Sequence, residues 1–274
     1  YVPLSIPRAP AAGCLKVLSY NTMSFGRDKS VPLAENQVFK YIKECDADIV
    51  CLQEAMKVYT DEASKMLKDV YPYNSLYLIA DNYNACFSKY PILSSSKIDY
   101  PSDKNASYVY EILVGGDTLL VVNNHLESYR LTPEDKDDYK SIIKNYKTPE
   151  QNNSEIKYLS LIGKLPPVDS IRGIQADSVA AFVERNAGRY MIVCGDFNAS
   201  PISYPHYRLT RCLNDAYTRS GNGPGISYNS SGMYFRIDNI LISPNMTAYG
   251  AKVDNSISAS DHYPIYAYVK LERK

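Results

Sequence analysis

Along the 274 residues, short apolar runs alternate with stretches in which apolar positions recur every three or four residues. The runs Leu15 to Tyr20, Asp48 to Leu52, Ser75 to Ile79, Ala85 to Ser88, Thr118 to Val122 and Tyr190 to Cys194 predict strands. So do Tyr234 to Ile242 and Pro264 to Val269, and Asn, Asp, Gly or Pro bounds each run. Between the first two, Leu33, Val38, Tyr41, Ile42 and Cys45 fall at helical spacing. A second helix fits Val58 to Lys68, and a third runs from about Ile171 to Glu184 with Ile171, Ile174, Val179 and Phe182 on one side. The order is β-α-β-α, a set of strands, β-α-β, then more strands. That alternation is too irregular for a purely parallel sheet and predicts a mixed α/β layer structure without internal repeats.

Ser128 to Ser170 breaks the pattern. It is rich in charge and amide, poor in apolar residues, and closed by Pro166 and Pro167, so it reads as an excursion with one or two exposed helices. Lys136, Lys140, Lys144, Lys147, Lys157 and Lys164 form solvated faces on this reading. The alternative is a lid over an anionic substrate. Residues 1–14, punctuated by Pro3, Pro7 and Pro10, predict an extended linker ahead of one domain spanning 15–272, with the excursion inserted at about 128–170. A chain beginning at Tyr1 fits removal of an upstream signal or anchor, or simply a cut there. The first option favours a membrane-anchored or extracytoplasmic location over a cytoplasmic one. No apolar stretch approaches the roughly 18 residues that span a bilayer.

Composition adds limits. Thirty basic and 30 acidic side chains cancel, which argues against retention on nucleic acid by bulk charge but leaves room for a local basic groove. The six cysteines show no C-x-x-C pair, and Cys51, Cys86 and Cys194 lie in apolar runs, as core thiols do. The aromatics are lopsided, with 26 Tyr, 6 Phe and no Trp.

The polar residues that carry chemistry stand where the apolar strands stop. Ser19-Tyr20-Asn21, Gln53-Glu54, Asn123-Asn124-His125, Gly195-Asp196-Phe197-Asn198, Phe235-Arg236-Ile237-Asp238 and Ser260-Asp261-His262 all do so. Any one of them is explained by a helix cap or a turn. Six together point to one rim of a mixed sheet. His206, between Pro205 and Tyr207, reads as a loop residue. Four carboxylates (Glu54, Asp196, Asp238, Asp261), two amides (Asn21, Asn198) and two imidazoles suit a hard cation such as Mg²⁺ or Mn²⁺ better than zinc. There is no G-x-x-x-x-G-K-[ST] loop, and Gly221-Asn222-Gly223-Pro224-Gly225 reads as a turn beside the rim.

Taken in order, Ser-Tyr-Asn21, Leu-Gln-Glu54, Asn-His125-Leu, Gly-Asp196-Phe-Asn198, Arg-Ile-Asp238 and Ser-Asp261-His262-Tyr-Pro resemble the endonuclease/exonuclease/phosphatase superfamily over roughly residues 15 to 270. The resemblance implies an α/β four-layer sandwich, two mixed β-sheets face to face with helices outside, and a Mg²⁺-dependent hydrolase of P–O bonds. It makes Glu54 the principal metal ligand, Asn21 its neighbour and Asp261 the completion of the metal environment. Asp196 would orient or deprotonate water, Asn198 bind the scissile phosphate, and His125 stabilise the transition state. His262, oriented by Asp238, would bind phosphate or act as base. Apurinic endonucleases generally carry Tyr where His125 stands, so the chain is more similar to the deoxyribonuclease, sphingomyelinase and deadenylase branches. His125-Leu-Glu-Ser128 is similar to tyrosyl-DNA phosphodiesterases, but Phe197 replaces their usual Thr. Asn84 is a candidate rim residue. Arg172 matches a phosphate-facing Arg of some relatives, with a surface salt bridge as its ordinary explanation. The expected substrate is a phosphodiester of nuclease type, acted on by a monomer. The alternatives are a phospholipid head group or inositol phosphate, or a non-catalytic binding module on the same fold.

Overall fold

The computed structural model describes Pro3 and residues 9–27, 30–145 and 151–272; half of the expected N-terminal linker lies outside these. One six-stranded sheet joins β1 (Leu15–Asn21), β2 (Ile49–Met56), β3 (Tyr73–Ile79), β4 (Asn82–Ser88), β13 (Met246–Val253) and β14 (Ile265–Leu271) in the order β13-β14-β1-β2-β4-β3. The other six-stranded sheet joins β5 (Ile92–Ile98), β6 (Ala106–Val114), β7 (Asp117–His125), β8 (Tyr190–Asp196), β9 (Asn214–Asp215) and β12 (Asp238–Ile242) in the order β5-β6-β7-β8-β12-β9. A hairpin, β10 (Tyr228–Ser230) and β11 (Met233–Phe235), stands apart. The helices are α1 (Met23–Gly26), α2 (Gln37–Cys45), α3 (Lys57–Met66), α4 (Pro133–Asn145), α5 (Gln151–Arg185), α6 (Tyr204–Thr210) and α7 (Ala216–Ser220).

The central strands are apolar on both faces because both faces are covered. Val17, Ile49, Cys51, Val121, Ile192 and Cys194 point into the layer between the sheets. Their neighbours Leu18, Val50 and Leu52 pack under α2 and α3, while Leu120, Val122, Met191 and Val193 pack under α5. Each such side chain contributes about 1.5–3 kcal/mol on burial. The result is the expected four-layer sandwich. All six cysteines are free thiols, and Cys51, Cys86 and Cys194 are fully buried between the sheets.

Each sheet has one parallel pair at its centre, β1 with β2 and β7 with β8. Their carboxyl ends therefore leave the sandwich on the same side, pairing Asn21 with Gln53 and His125 with Asp196. Antiparallel β12 starts at that rim, with Asp238 opposite Asp196. Just below it the buried Asn123 joins the sheets: its amide donates to the carbonyls of Leu52 and Ala85 (3.1 and 3.2 Å) and accepts from Gln53 (2.6 Å).

Several expectations change. Tyr234 to Ile242 is two strands, β11 and β12, interrupted at Arg236 and Ile237, so Asp238 opens a strand instead of lying inside one. β5, β6 and β13 have no counterpart among the strands expected from the sequence. Pro166 and Pro167 lie inside α5 and do not close the excursion. The buried stripe of α5 is Arg172, Gln175, Ala176, Val179, Ala180 and Val183, whereas Ile171 and Ile174 are exposed. Of the six lysines of the excursion, the side chains of Lys144, Lys147, Lys157 and Lys164 lie outside the described residues. Among the described residues no helix is long and apolar enough to cross a membrane.

Candidate active site

The rim opens into a cleft of about 840 Å³ lined by Glu54, Asn84, His125, Arg172, Asp196, Asn198, Asp261 and His262, among others. Glu54 reaches it through a defect in β2. The β2–β4 register shifts between Leu52 and Ala55, and Glu54 takes a left-handed φ of 47°. A bulge of this kind redirects a side chain at a cost that its surroundings must offset. Thr22 Oγ1 helps by donating to the carbonyl of Glu54 at 3.0 Å. On the other sheet Gly195, at φ 128°, lets β8 pass so close to β7 that a Cβ would lie 2.0 Å from the Asn124 carbonyl oxygen. No other residue fits there.

Asp196 Oδ2 is the hub. It accepts from Asn21 Nδ2 at 3.0 Å and Asn198 Nδ2 at 3.2 Å, and lies 3.7 Å from His262 Nε2 and 3.9 Å from His125 Nε2. Asn198, itself left-handed at φ 48°, also donates its backbone N–H to Asp196 Oδ1 at 2.8 Å and its amide to the Leu126 carbonyl at 3.0 Å. It therefore clamps Asp196 and the segment after His125 at once. Asn21 Nδ2 also reaches Glu54 Oε1 at 3.3 Å, and His125 Nε2 lies 3.5 Å from the same oxygen.

His262 Nδ1 lies 2.8 Å from Asp238 Oδ2, which leaves Nε2 facing Asp196. Its backbone is set by Ser260, whose Oγ accepts from His262 N–H (3.1 Å) and donates to the Asn21 carbonyl (2.8 Å). Burial alone would lower the imidazole pKa, but the Asp238 and Asp196 carboxylates outweigh it and raise it to about 10. Burial raises Asp196 above the ordinary carboxylate range, with the His262 charge opposing it. A protonated His262 presents Nε2 to the cleft as a donor.

The fit of a divalent cation rests on the donors present. Glu54, with its side chain one-third exposed to the cleft, and Asp261 pair with no Lys or Arg among the described residues. They are hard oxygen ligands left open. Ligand atoms of Asp196, Asp238 and His262 also lie within 4.8 Å of one another. That group is committed internally through the His262–Asp238 bond. His125 Nε2, Asp238 Oδ1 and Arg172 Nη2 are among the buried polar atoms with no hydrogen-bond partner. An unpartnered buried imidazole nitrogen beside an acidic hub suits a phosphate oxygen.

The remaining candidates fall as follows. Asn84 is buried at the cleft wall and donates to the Ala106 carbonyl at 3.1 Å. Arg172 forms the expected salt bridge, to the half-exposed Asp169, but is itself buried. It is 2 % exposed, donates Nε to the Glu127 carbonyl at 2.8 Å and Nη1 to Asp169 at 3.1 Å, and lies 4.3 Å above the Tyr129 ring. Gln175 accepts from Glu127 N–H at 2.8 Å, so both residues of the Arg-x-x-Gln pair on α5 hold the segment that follows His125. His206 is not in a loop. It is buried in α6, with Nε2 3.1 Å from Asp215 Oδ2, and Arg236 seals the same carboxylate at 2.5 Å. The Gly221–Gly225 turn wraps the ring of Tyr217, whose hydroxyl donates to the Asn222 carbonyl at 2.6 Å.

Comparison with known proteins gives the family and the fold. The sequence profile of the endonuclease/exonuclease/phosphatase family matches residues 18–262, and the chain belongs to that family. Truncated Caenorhabditis elegans TDP2 is similar in structure, with TM-score 0.65 and 19% identity over 94% of this chain and 97% of that one. The human Nocturnin catalytic domain with bound sulfate gives TM-score 0.67 and 15% identity over 96% of each chain. An endonuclease/exonuclease/phosphatase from Bacteroides vulgatus gives 0.63 and 16%, over 94% and 99%. These likenesses share the fold. A search of curated proteins by sequence gives no match.

Proposed function

We propose that this protein is a divalent-metal-dependent phosphodiesterase that uses Mg²⁺ or Mn²⁺. The observation that carries the proposal is the convergence of both cleft imidazoles on one carboxylate oxygen, with His262 Nε2 and His125 Nε2 3.7 and 3.9 Å from Asp196 Oδ2. Water held by Asp196 attacks phosphorus and passes its proton to that carboxylate as the P–O bond to the leaving alkoxide breaks, and the departing oxygen takes up a proton from bulk water. The His262 imidazolium and His125 donate to phosphate oxygens as charge develops there. Asn198 keeps Asp196 in position, and Asp238 keeps His262 protonated and turned toward the cleft. Glu54, Asn21 and Asp261 would hold the cation, which supplies Lewis-acid stabilisation of the phosphate when bound. The cation is needed on magnitude: acid–base assistance gives about 10²–10⁴-fold, far short of phosphodiester hydrolysis.

The test is hydrolysis of bis(p-nitrophenyl) phosphate with added Mg²⁺ or Mn²⁺. Turnover is expected with metal, and chelator or Glu54→Gln abolishes it. Turnover indifferent to both refutes the assignment.

A further inference from the structure

The excursion after β7 brings to the cleft a cation, Lys136, that neither the catalytic reading nor a carboxylate among the described residues engages. Four other cations line the cleft, Arg27, Lys104, Arg130 and Arg172; Arg130 pairs with Glu127 and Arg172 with Asp169, and on α4 Lys140 pairs with Asp137. Lys136 of α4 also lines the cleft, is half-buried, and pairs with no carboxylate among the described residues. Its place is fixed from both ends. Thr132 and Asp135 exchange backbone-to-side-chain bonds of 2.9 and 3.2 Å, a capping box that sets the first turn of α4. At its tip, Lys136 Nζ donates to the Tyr228 hydroxyl oxygen at 2.9 Å and lies 5.6 Å from the centre of that ring.

Tyr228 is tied in turn to the catalytic centre. It forms an isolated antiparallel bridge with His262, and the two rings meet edge-on with centroids 5.1 Å apart. Because the hydroxyl oxygen accepts from Lys136, its O–H remains free to donate outward, as do the other ammonium hydrogens. The pair therefore offers a positive charge and two kinds of donor one ring away from His262. Met233, Phe235 and Ile237 line the same cleft, and Phe235 stands opposite Tyr228 in the β10–β11 hairpin, so the pair borders apolar surface, where charge-assisted bonds are strong.

We propose that Lys136 and Tyr228 form an anion subsite that takes a second phosphate of the substrate, one unit from the phosphoester under attack. The proposal rests on the phosphodiesterase reading above and narrows it. Substrates with a further phosphate, whether a nucleotide chain or an inositol polyphosphate, are favoured. A head group bearing a cation there is repelled by Lys136.

Titration calorimetry on Glu54→Gln protein in Mg²⁺ tests it with two pairs of ligands. One pair is a dinucleoside phosphate with and without a terminal phosphate; the other is an inositol monophosphate and bisphosphate. The extra phosphate is expected to tighten binding tenfold or more in one pair, and that pair identifies the source of the phosphate. Adding Lys136→Met removes the preference, and Lys136→Arg retains it. Equal affinities within both pairs, a preference that survives Lys136→Met, or no binding of any ligand overturns the subsite. Wild-type turnover of bis(p-nitrophenyl) phosphate, which has a single phosphate, reports on the catalytic reading separately.

Discussion

Two buried His–Asp pairs lie in this fold, and they differ in what surrounds them. His262 and Asp238 meet at 2.8 Å, His206 and Asp215 at 3.1 Å. In the second pair the carboxylate is saturated: Arg236, Thr218 Oγ1 at 2.7 Å and the N-terminal amides of α7 at Tyr217 and Thr218 all donate to it. Burial would raise Asp215, but His206 and Arg236 outweigh it and hold the carboxyl well below the usual range. The first pair has no arginine. Asp238 keeps one oxygen unpartnered, and His262 turns its far nitrogen to Asp196 and the cleft. A closed ion network fixes a structure. An open one has donors left over for a substrate.

That contrast can be broken by substitution, starting with the largest effect. His262→Ala or Asp196→Asn is expected to lower kcat on bis(p-nitrophenyl) phosphate by about 10³-fold or more, the scale of losing a preorganised donor or base. An effect below tenfold for both removes the open pair from catalysis. Arg172→Met should lower kcat by about ten- to hundredfold with little change in KM, because it releases the Glu127 carbonyl and lets the His125 segment shift. A pure KM effect would instead make Arg172 a substrate contact.

Asp215→Asn acts on the closed network. It leaves Arg236 buried without its counter-charge and should cost about 3 kcal/mol in denaturant unfolding. The pH sign follows from the depressed carboxyl. Its stabilisation is complete above the unfolded value, about 3.9, and is lost as pH falls below it. Wild-type stability should therefore drop below about pH 4 more steeply than that of Asp215→Asn, and parallel curves exclude the network as the source. Asn123→Ala is expected to cost about 1–3 kcal/mol, since the Leu52 and Ala85 carbonyls lose a buried donor.

Much of the rim was legible because its polar residues interrupt apolar strands, and parallel pairing in each sheet sends those interruptions to one side. Asn21, Glu54, His125, Asp196, Asn198, Asp261 and His262 all line or border the cleft for that reason. The α5 stripe was hidden because Arg172 and Gln175 are polar residues on a buried face. The spacing that aligns them with Ala176, Val179 and Val183 was the available signal. His206 was obscured by Pro205, which suggests a loop yet is well placed in the first turn of a helix. β5 carries three serines and lies at a sheet edge, and β13 contains a register shift, so neither shows a clean alternation. The capture of Lys136 by Tyr228 joins residues far apart in the chain, and no local pattern encodes it.

The most direct measurement sets the two histidines against each other, with kcat and unfolding free energy determined for His262→Ala and His206→Ala under identical conditions. His262→Ala should remove turnover while the protein stays folded, and His206→Ala should lower stability by about 1–3 kcal/mol while the folded fraction keeps its turnover. Comparable losses of kcat in both variants, or full activity in His262→Ala, would contradict the distinction between the open pair and the closed one.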